Sequence, residues 1–549
     1  MPRPLGRFVL ALLLVLSAQA SLAAAPPVAH AADLTIVRRA GTDRYATAAA
    51  ISRATFAAPA PVAFVATGAS FPDALAAGPY AAGRHGPILL TAPTSLPAAT
   101  RAELKRLEPV EIVVLGGSGA VSAAVVNALA GFATSGKVTR VAGADRYATA
   151  AAISAAAFPD GAAIVHVATG ATYPDALSGG VAAAVAGGPL LLVAPDRIPP
   201  SAGAELRRLA PERIVVLGGS GAVSSALAGE LSTYAPGATV TRIGGADRYA
   251  TSALVSKATF GAGAATVYLA TGRNFPDALA GTAAAAESRA PLLLVPGDHA
   301  GASATAEAKR LKASKLALLG ASPTVSERVT LELRTALGDL AALPACRYDD
   351  VPARHTAYDK WSITLLDTIY RVSSTYRPPD LVDSSKAGMS ANHPLRNLVV
   401  SDLVKMRQAA AAVGRPIDVQ SAFRSYATQQ ATFDYWVKEL GYAEALRTSA
   451  RAGHSEHQLG TGIDFMSKGA PDPWDRSDWA RTPAGAWMQA NAWRYGFVMS
   501  YPKGALSVVC YDYEPWHYRY YGRTQAAAMR ASTLLPREYL WLHADGKAA

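Results

Sequence analysis

The heptapeptide Gly41-Thr-Asp43-Arg44-Tyr45-Ala-Thr47 recurs as Gly143-Ala-Asp145-Arg146-Tyr147-Ala-Thr149 and again as Gly245-Ala-Asp247-Arg248-Tyr249-Ala-Thr251. Both offsets are 102 residues, and the Pro-Asp-Ala-Leu segment at Asp73 recurs at Asp175 and Asp277 with the same offset. An offset held constant over so long a stretch predicts three structural units with almost no insertions between them.

Each unit alternates apolar strands with helices. In the first unit, residues 62–68, 87–92 and 112–116 are predicted strands because they are continuous apolar runs bounded by turn residues. A charged, amphipathic helix is predicted over 98–107, and Pro72 marks the first turn of another. Continuous apolar strands separated by helices are typical of a parallel sheet covered on both faces. The predicted fold of each unit is therefore α/β, of the Rossmann or flavodoxin type.

The glycine-rich turns after the strands leave a nucleotide-binding alternative. Gly116-Gly-Ser-Gly119 could hold a phosphate at a helix N-terminus, but the sequence lacks a G-x-G-x-x-G motif with a following acid, and also a P-loop lysine. A structural turn is the favoured interpretation. The Asp-Arg pair of the repeated heptapeptide is interpreted as an ion pair within each unit plus a helix start, with a ligand contact as the alternative.

The three units resemble the cell-wall-binding repeat 2 modules of Gram-positive surface proteins. The resemblance covers residues 35–337 and rests on the Asp-Arg-Tyr-Ala-Thr and Phe-Pro-Asp-Ala-Leu signatures and on the Leu-Gly-Gly strand ends at Gly116 and Gly218. It implies that three modules form a compact, trimer-like assembly that binds anionic polymers of the wall. The third unit departs at 320–323, where the loop is Gly-Ala-Ser-Pro, so polymer binding through that loop is expected to be weaker.

A second set of motifs lies near the C-terminus: Ser455-Glu-His457-Gln-Leu-Gly-Thr-Gly-Ile-Asp464, followed by Glu514-Pro-Trp-His517. Two histidines and an aspartate provide three ligands for one zinc ion and leave one coordination position for water, as in catalytic zinc sites. The glutamate is an acid/base group close to a ligand. The proline after it disfavours a helix, and the spacing differs from the His-Glu-x-x-His helix of many zinc proteases. The ligands are therefore expected to come from strands or loops.

This set resembles the zinc D-alanyl-D-alanine carboxypeptidases of the VanY type over residues 385–525. The family's Arg-Ser-Tyr-x-x-Gln motif appears at 424–429, and its tryptophan-led segment at 487–497. Two positions depart from the family pattern, since Gly462 replaces an alanine and Val509-Cys510 replaces Thr-Gly. Neither departure touches an expected ligand.

The resemblance assigns roles to individual residues. Zinc is expected on His457, Asp464 and His517, with Glu514 as the general base that later protonates the leaving amine. Arg424 would stabilise the oxyanion and could share in binding the terminal carboxylate of the substrate. The same carboxylate is expected to contact three polar residues, Ser425, Gln429 and Ser455.

Several of these residues have simpler alternative roles. Arg424 could form a structural ion pair, and Ser425 and Gln429 could cap a helix. His454 lies outside the ligand set and is interpreted as a rim or exposed residue. Trp516, between base and ligand, is expected to pack beneath the metal.

The N-terminus has the pattern of a secretory signal peptide, assigned to residues 1–31. Arg3 and Arg7 precede an apolar run at 8–16, and small residues follow, with cleavage after Ala20 or Ala31. No other apolar run reaches about 20 residues, so no membrane span is expected. The mature protein is predicted to be secreted and held at the cell wall or surface of a Gram-positive-type bacterium.

Charge and cysteine content add two expectations. The net charge of +11 is spread along the chain, which fits either a mildly basic surface or binding to anionic wall polymers. No basic run interleaved with aromatic residues indicates nucleic-acid binding. Because export permits disulfides, Cys346 and Cys510 are expected to pair, with two buried free thiols as the alternative.

These interpretations divide the chain into consecutive segments: the signal peptide, repeats at 34–135, 136–237 and 238–338, a linker and N-terminal extension at 339–384, an α+β zinc peptidase domain at 385–525, and a C-terminal helix and tail at 526–549. The predicted function is removal of the terminal D-alanine from peptidoglycan stem peptides ending in D-Ala-D-Ala by a wall-bound zinc carboxypeptidase. The alternatives are an L,D-carboxypeptidase or a peptidoglycan endopeptidase with the same zinc site, a non-enzymatic wall-binding or adhesive surface protein, and, more distantly, a nucleotide-binding protein.

Overall fold

The computed structural model describes residues 34–543, so the predicted signal peptide lies outside the described residues. The first 303 of these residues contain three copies of one strand-and-helix pattern. The first copy consists of β1 (Thr35–Arg39), α1 (Arg44–Thr55), β2 (Val62–Thr67), α2 (Ala77–Gly83), β3 (Ile88–Thr91), α3 (Ala98–Leu107), β4 (Glu111–Leu115) and α4 (Ala123–Ala130).

The second and third copies repeat this order. The second consists of β5 (Lys137–Val141), α5 (Arg146–Ala157), β6 (Ile164–Thr169), α6 (Pro174–Val185), β7 (Leu190–Val193), α7 (Pro200–Leu209), β8 (Arg213–Leu217) and α8 (Ser225–Tyr234). The third consists of β9 (Thr239–Ile243), α9 (Arg248–Thr259), β10 (Thr266–Thr271), α10 (Pro276–Glu287), β11 (Leu292–Val295), α11 (Ala302–Leu311), β12 (Lys315–Leu319) and α12 (Glu327–Ala336).

The aspartate of each repeated heptapeptide starts a helix. The side chain of Asp43 accepts a hydrogen bond from the backbone N–H of Ala46, and Asp145 and Asp247 cap α5 and α9 in the same way. This is the usual role of an N-cap aspartate. The neighbouring arginine does not form the ion pair expected from the sequence, because the Arg44 guanidinium donates to the carbonyl oxygen of Gly68 instead.

The last strand of each sheet comes from the following copy. All pairings in these sheets are parallel, and the strand orders are β3-β2-β4-β5, β7-β6-β8-β9 and β11-β10-β12-β1. The third sheet is therefore completed by β1, with Thr35 opposite Lys315 and Arg39 opposite Leu319. The three copies form a closed ring in which the first described strand pairs with the last sheet.

The helices after the three Pro-Asp-Ala-Leu segments pack against one another at the centre of the ring. Helices α2, α6 and α10 are in mutual contact. Beside them the rings of Phe71, Tyr173 and Phe275 lie 5.3 to 6.1 Å apart, centroid to centroid. Each ring is also covered by an arginine of the next copy, as Arg44 lies 6.0 Å from the Phe275 centroid. One apolar core runs through all three copies.

The first copy differs from the others after its Phe-Pro-Asp segment. In the second and third copies a continuous helix begins at Pro174 or Pro276, whereas the first has a short 3-10 turn at Pro72–Ala74 and then α2. Pro79 explains the break, because a proline inside a continuous helix would remove a backbone donor and clash with the preceding turn.

The rest of the chain forms an α+β domain. Its elements are β13 (Val351–Pro352), β14 (Tyr370–Arg371), β15 (Leu381–Asp383), β16 (Pro394–Arg396), α13 (Asn397–Ala412), β17 (Ile417–Ser421), α14 (Tyr426–Leu440), α15 (Tyr442–Thr448), β18 (Gly462–Ser467), α16 (Pro483–Asn491), β19 (Phe497–Met499), α17 (Leu506–Val509), β20 (His517–Tyr520), α18 (Arg523–Ser532) and α19 (Pro536–Leu542). The central antiparallel sheet has the order β17-β18-β20-β19. Three α/β repeats followed by an α+β domain confirm the fold class predicted from the sequence.

The last repeat and the α+β domain share an apolar interface. Leu331 and Leu340 pack with Tyr539, Trp541 and Leu542 of the C-terminal helix. The connecting segment is held as well, since the Trp541 indole N–H donates to the carbonyl oxygen of Ala341 at 2.8 Å. Across residues 34–543, the helices are all too short or too polar to cross a membrane.

Candidate active site

The three predicted ligands converge at the central antiparallel sheet. Asp464 on β18 lies directly opposite His517, the first residue of β20. His457 comes from a 3-10 turn at Glu456–Leu459, just before β18. One ligand atom from each of the three residues lies within 4.8 Å of the others, and all three side chains are buried. The three predicted ligands thus lie on two strands and a turn, in agreement with the expectation that they come from strands or loops.

The local sequence explains how the turn reaches the strand. The Ser455 hydroxyl accepts a hydrogen bond from the backbone N–H of His457 and so begins the turn. Gly460 ends it with a φ of 70°, a conformation that glycine adopts without strain. A Cβ at Gly462 would lie 2.9 Å from the backbone carbon of Glu456, so glycine at this position allows the turn to pack closely on β18.

The hydrogen bonds of the two histidines select the nitrogens that face the cluster. His457 donates its Nδ1–H to the carbonyl oxygen of Ala422 at 2.6 Å, which leaves Nε2 as a lone-pair donor 3.1 Å from an Asp464 oxygen. The His517 Nε2 lies 3.1 Å from the Glu456 carboxylate, and its Nδ1 lies 2.9 Å from the other Asp464 oxygen. Because a carboxylate only accepts, both ring nitrogens donate here, Nε2–H to Glu456 and Nδ1–H to Asp464. Nδ1 faces the cluster and would have to release its proton to bind a metal.

This donor set fits a zinc ion. Two imidazole nitrogens and one carboxylate oxygen, each on a buried and hydrogen-bonded side chain, are the ligands that zinc takes in catalytic sites. Apart from its contact with Asp464, the buried Nε2 of His457 has no hydrogen-bond partner within residues 34–543, which is what a metal-binding nitrogen requires.

Electrostatics separate the acid–base properties of these side chains. Burial and the nearby Arg424 charge lower the pKa of His457 to about 4. Burial opposes the charged form of His517, but hydrogen bonds to Asp464 and Glu456 outweigh it and raise its pKa to about 10. Burial also acts against ionised Asp464, yet the two histidines hold its pKa well below the usual range.

Glu514 stands beside the cluster without joining it. Its carboxylate is 3.9 Å from His517 Nδ1, and 22% of its side chain remains exposed. Burial raises its pKa to about 7, helped by the negative charge of Asp464. A carboxyl group that takes up and releases a proton near neutral pH suits a general acid and base.

The predicted substrate-contacting residues have different surroundings. Arg424 lies 3.4 Å from Asp464 and lines the cavity, and its Nε has no hydrogen-bond partner in the described chain. Gln429 and Ser455 also line the cavity, and the Gln429 amide donates to the carbonyl oxygen of Ala450 at 2.6 Å. Ser425 caps α14 by accepting from Thr428 N–H, and it is not among the cavity-lining residues, so its surroundings match the helix-cap alternative.

The interpretation of one neighbouring residue, His454, is wrong. His454 is buried, not a rim residue, because its ring bonds the Asp367 carbonyl oxygen at 2.7 Å and the Asp350 carboxylate at 2.9 Å. Trp516 lines the cavity, with its ring 6.1 Å from that of Trp474, and also packs against the apolar core of the domain. Its expected place beneath the metal stays a prediction.

The cluster opens into a cavity of about 510 Å³. Helix α14 contributes polar residues from its first half, Gln429 and Thr432, and apolar residues from its second half, Trp436 and Leu440. The remaining walls of the cavity are formed by Ser421, Thr448, Ser449, Ala450, Trp474, Tyr501, Tyr511, Asp512, Tyr513 and Trp516. This volume accommodates several residues of a peptide.

Four residues around the ligands were not identified from the sequence. The Tyr501 ring stacks on the His517 ring at 4.9 Å, and Glu456, Ser500 and Arg519 form a hydrogen-bonded group behind the same histidine. Arg519 could have been found, because residues two apart on a strand point to the same face. An arginine two positions after a predicted ligand on a buried strand therefore lies on the same face of the sheet as that ligand.

The two cysteines form a disulfide. Cys346, on the segment that leads from the repeats, is joined to Cys510, which follows α17 with a φ of 70°. The next residue, Tyr511, packs its ring 5.1 Å from that of Tyr501. The disulfide therefore connects the linker segment to the wall of the cavity.

Comparison with known proteins gives separate matches for the repeats and for the C-terminal domain. A family model described as D-alanyl-D-alanine carboxypeptidase matches residues 392–523, and one described as cell wall binding domain 2 matches residues 38–126, 140–228 and 242–330. The chain is 30% identical over 304 residues to the N-acetylmuramoyl-L-alanine amidase LytC of Bacillus subtilis, covering 55% of this chain and 59% of that protein.

Two further proteins show similarity. A D-alanyl-D-alanine carboxypeptidase of Enterococcus faecium is 32% identical over 122 residues, which cover 22% of this chain and 35% of that protein. The solved structure of Cwp8 from Clostridium difficile superposes with a TM-score of 0.51 at 26% identity, covering 56% of this chain and 53% of that one. The chain thus spans less than two thirds of the length of each of these relatives.

Proposed function

Because residues 392–523 belong to the D-alanyl-D-alanine carboxypeptidase family of the VanY type, and because three cell wall binding domain 2 repeats precede them, we propose that this chain is an exported, wall-bound zinc carboxypeptidase. Its substrate would be the peptidoglycan stem peptide that ends in D-Ala-D-Ala, from which it removes the terminal D-alanine. The observation that carries the proposal is the convergence of His457, Asp464 and His517 beside the carboxyl group of Glu514 at the end of an open cavity.

Each residue has a part in the proposed hydrolysis. Zinc held by the three ligands would supply Lewis acidity to a water molecule and to the scissile carbonyl group. The Glu514 carboxylate accepts the proton of the attacking water and later passes it to the leaving amino group. The Arg424 guanidinium stabilises the negative charge that develops on the carbonyl oxygen.

The terminal carboxylate of the peptide needs donors at the cavity wall. Arg424 and the hydroxyl of Ser455 line that wall, and Gln429 is held there by its bond to Ala450. A guanidinium is well suited to a carboxylate because it donates several hydrogen bonds in one plane. We assign these three residues to recognition of the free C-terminus, which favours an exopeptidase over an endopeptidase.

The repeats would hold the enzyme on its polymeric substrate. Their cores are apolar and closed, and we propose that their outer surface binds an anionic wall polymer. Attachment raises the local concentration of stem peptides around the cavity.

The test is hydrolysis of two synthetic peptides by the purified mature chain with zinc. A pentapeptide ending in D-Ala-D-Ala should lose one alanine, and the tetrapeptide should remain intact, as followed by mass spectrometry. Glu514→Gln should abolish the reaction, whereas Glu444→Gln, at an exposed glutamate of α15, should leave it unchanged.

Other products would select one of the alternatives. Cleavage of the tetrapeptide would identify an L,D-carboxypeptidase, and cleavage only within cross-linked peptidoglycan would identify an endopeptidase. No cleavage of any of these by zinc-loaded protein would leave a wall-binding surface protein with an inert domain.

A further inference from the structure

Behind the metal ligand His517 lies a carboxylate that has no role in the proposed chemistry. Glu456 is 5% exposed, and its Oε2 accepts from His517 Nε2–H at 3.1 Å and from the Ser500 hydroxyl at 2.5 Å. Its other oxygen, Oε1, accepts from Arg519 at 3.0 Å. Both oxygens of this carboxylate are thus engaged by three donors, two of them on β20 and the third on the segment after β19.

Arg519 extends the contact away from the site. It is fully buried, and its Nη2 donates to the carbonyl oxygens of Trp361 and Thr364 at 2.6 and 2.7 Å. The Trp361 ring also stacks on that of Tyr520, 5.4 Å away and inclined by 12°. Residues 361–364 precede residue 392, where the match to the carboxypeptidase family begins. A segment outside the matched domain therefore reaches a metal ligand through two side chains.

We propose that Glu456 and Arg519 are positioning residues for the metal site, and that residues 361–364 are a structural part of that site. The proposal deepens the proposed function because it concerns the same zinc ligands. Glu456 holds His517 with Nε2 protonated and Nδ1 directed at His457 and Asp464. Arg519 holds Glu456, and the two carbonyl groups hold Arg519.

The arrangement differs from an ordinary structural ion pair. Burying a carboxylate and a guanidinium is costly unless every donor and acceptor is used, and a pair of apolar side chains would serve packing as well. Here the carboxylate is shared with a metal-facing histidine. A carboxylate behind a ligating histidine fixes the tautomer, orients the ring and makes the ligand more basic, and loss of such a group typically weakens metal binding by about 10- to 100-fold.

The substitution Glu456→Gln tests this directly. An amide has one acceptor oxygen, so its NH₂ group must face either Arg519 or the pair formed by His517 and Ser500, all of which are donors. The metal-free full-length chain and its variants are titrated with zinc against a chromophoric chelator, and Kd is measured. We expect a Kd about 10- to 100-fold higher for Glu456→Gln. When both chains are loaded with cobalt in place of zinc, the visible spectrum of Glu456→Gln should also differ from that of the native chain.

A matched variant controls for loss of a buried glutamate in general. Glu205→Gln removes a buried carboxylate that pairs with Arg208 in the second repeat, far along the chain from the site. It should leave the zinc Kd unchanged. Arg519→Lys keeps one charged donor for Glu456 but loses the carbonyl contacts, so its zinc affinity should fall between those of the native chain and Glu456→Gln.

The outcomes separate this proposal from the proposed function. A zinc Kd within twofold of the native value for Glu456→Gln would overturn it, even if hydrolysis were lost. If Glu456→Gln does not fold, Glu456→Asp replaces it, because a carboxylate one methylene shorter cannot reach both His517 and Arg519, and an unchanged Kd again overturns the proposal. Failure of the native chain to cleave any peptide would count against the carboxypeptidase function only, since the zinc affinities would still differ.

Discussion

Arg328 on α12 and Glu538 on α19 form a two-pronged ion pair, with Nη1–Oε1 and Nη2–Oε2 distances of 2.6 and 2.7 Å. The pair joins the last repeat to the C-terminal helix of the peptidase domain. Glu538 also accepts from the backbone N–H of Leu535, so it fixes the start of α19 at the same time. The peptidase domain is thus fixed on the third repeat, and the connecting segment does not act as a free tether.

We expect Arg328→Met to weaken this docking. The Glu538 side chain is 7% exposed, so removal of its partner leaves a nearly buried charge unpaired, which should cost about 1–3 kcal/mol. Calorimetry should then show unfolding of the peptidase domain at a lower temperature than the repeats. Arg53→Met, at a largely exposed arginine of the first repeat, is the control. Unfolding in one unchanged transition would show that the ion pair does not hold the two parts together.

His166 gives the second repeat a sensitivity to acid. It lies in the middle of β6, where the other repeats have Phe64 and Tyr268, and its Nδ1 has no hydrogen-bond partner within the described residues. Burial, assisted by the Arg213 charge, lowers its pKa to about 4. The unfolded chain binds this proton near pH 6.5, so stability present above that pH is lost as the pH falls toward 4.

We therefore expect His166→Phe, which restores the residue of the first repeat, to reduce the loss of stability between pH 6.5 and 4 by up to about 3 kcal/mol. Thermal melting of both chains across this range is the measurement. His299→Phe, at an exposed histidine of the third repeat, should keep the native pH dependence. Equal slopes for the native chain and His166→Phe would mean that other groups cause the acid sensitivity.

Glu514→Gln should separate catalysis from metal binding. The amide cannot accept the proton, so kcat should fall by about 10²- to 10⁴-fold. The zinc Kd should change little, because Glu514 stands beside the cluster and is not a member of it. Steady-state hydrolysis and zinc titration of the same preparation make the comparison. A large loss of zinc affinity would instead make Glu514 a ligand.

The disulfide should stabilise the peptidase domain more than the repeats. Cys346 and Cys510 are 164 residues apart, and removal of a native disulfide usually costs about 2–5 kcal/mol. Activity should fall as well, because Tyr511 follows Cys510 and packs on Tyr501, which stacks on a ligand. Melting and hydrolysis of the Cys346→Ser/Cys510→Ser chain check both expectations. Reductant should affect the native chain and leave the double variant unchanged.

The repeat architecture could be predicted because the repeated motifs keep a constant offset and the strands are apolar runs bounded by turn residues. The helix predicted over 98–107 is observed as Ala98–Leu107, and the strand predicted over 62–68 as Val62–Thr67. Strands β1, β5 and β9 were not predicted. Each has only five residues, in which apolar side chains are mixed with threonine and basic ones, and their pairing depends on distant partners that a local pattern does not specify.

The candidate site was predicted in part, because some of its residues lie in short sequence motifs. The two C-terminal motifs contain the three residues that cluster in the structure, so these residues could be identified from the sequence. The group behind His517 escaped prediction, because Glu456, Ser500 and Arg519 come from three separate segments and meet only when the sheet forms. His454 was misplaced because its partners, Asp350 and Asp367, lie about a hundred residues away in the chain.

The closed ring has one seam that differs from its other joints. The strand pair β4–β5 joins Glu111 to Lys137, whereas β1–β12 joins Thr35 to Lys315. Loop-closure entropy rises with the logarithm of loop length, so closing the seam costs about 2 kcal/mol more than forming the other joint. During synthesis from the N-terminus, β1 must stay unpaired until the third repeat has been made. The C-terminal domain packs on α12, which follows β12, so the repeat that completes the seam is also the one that holds this domain.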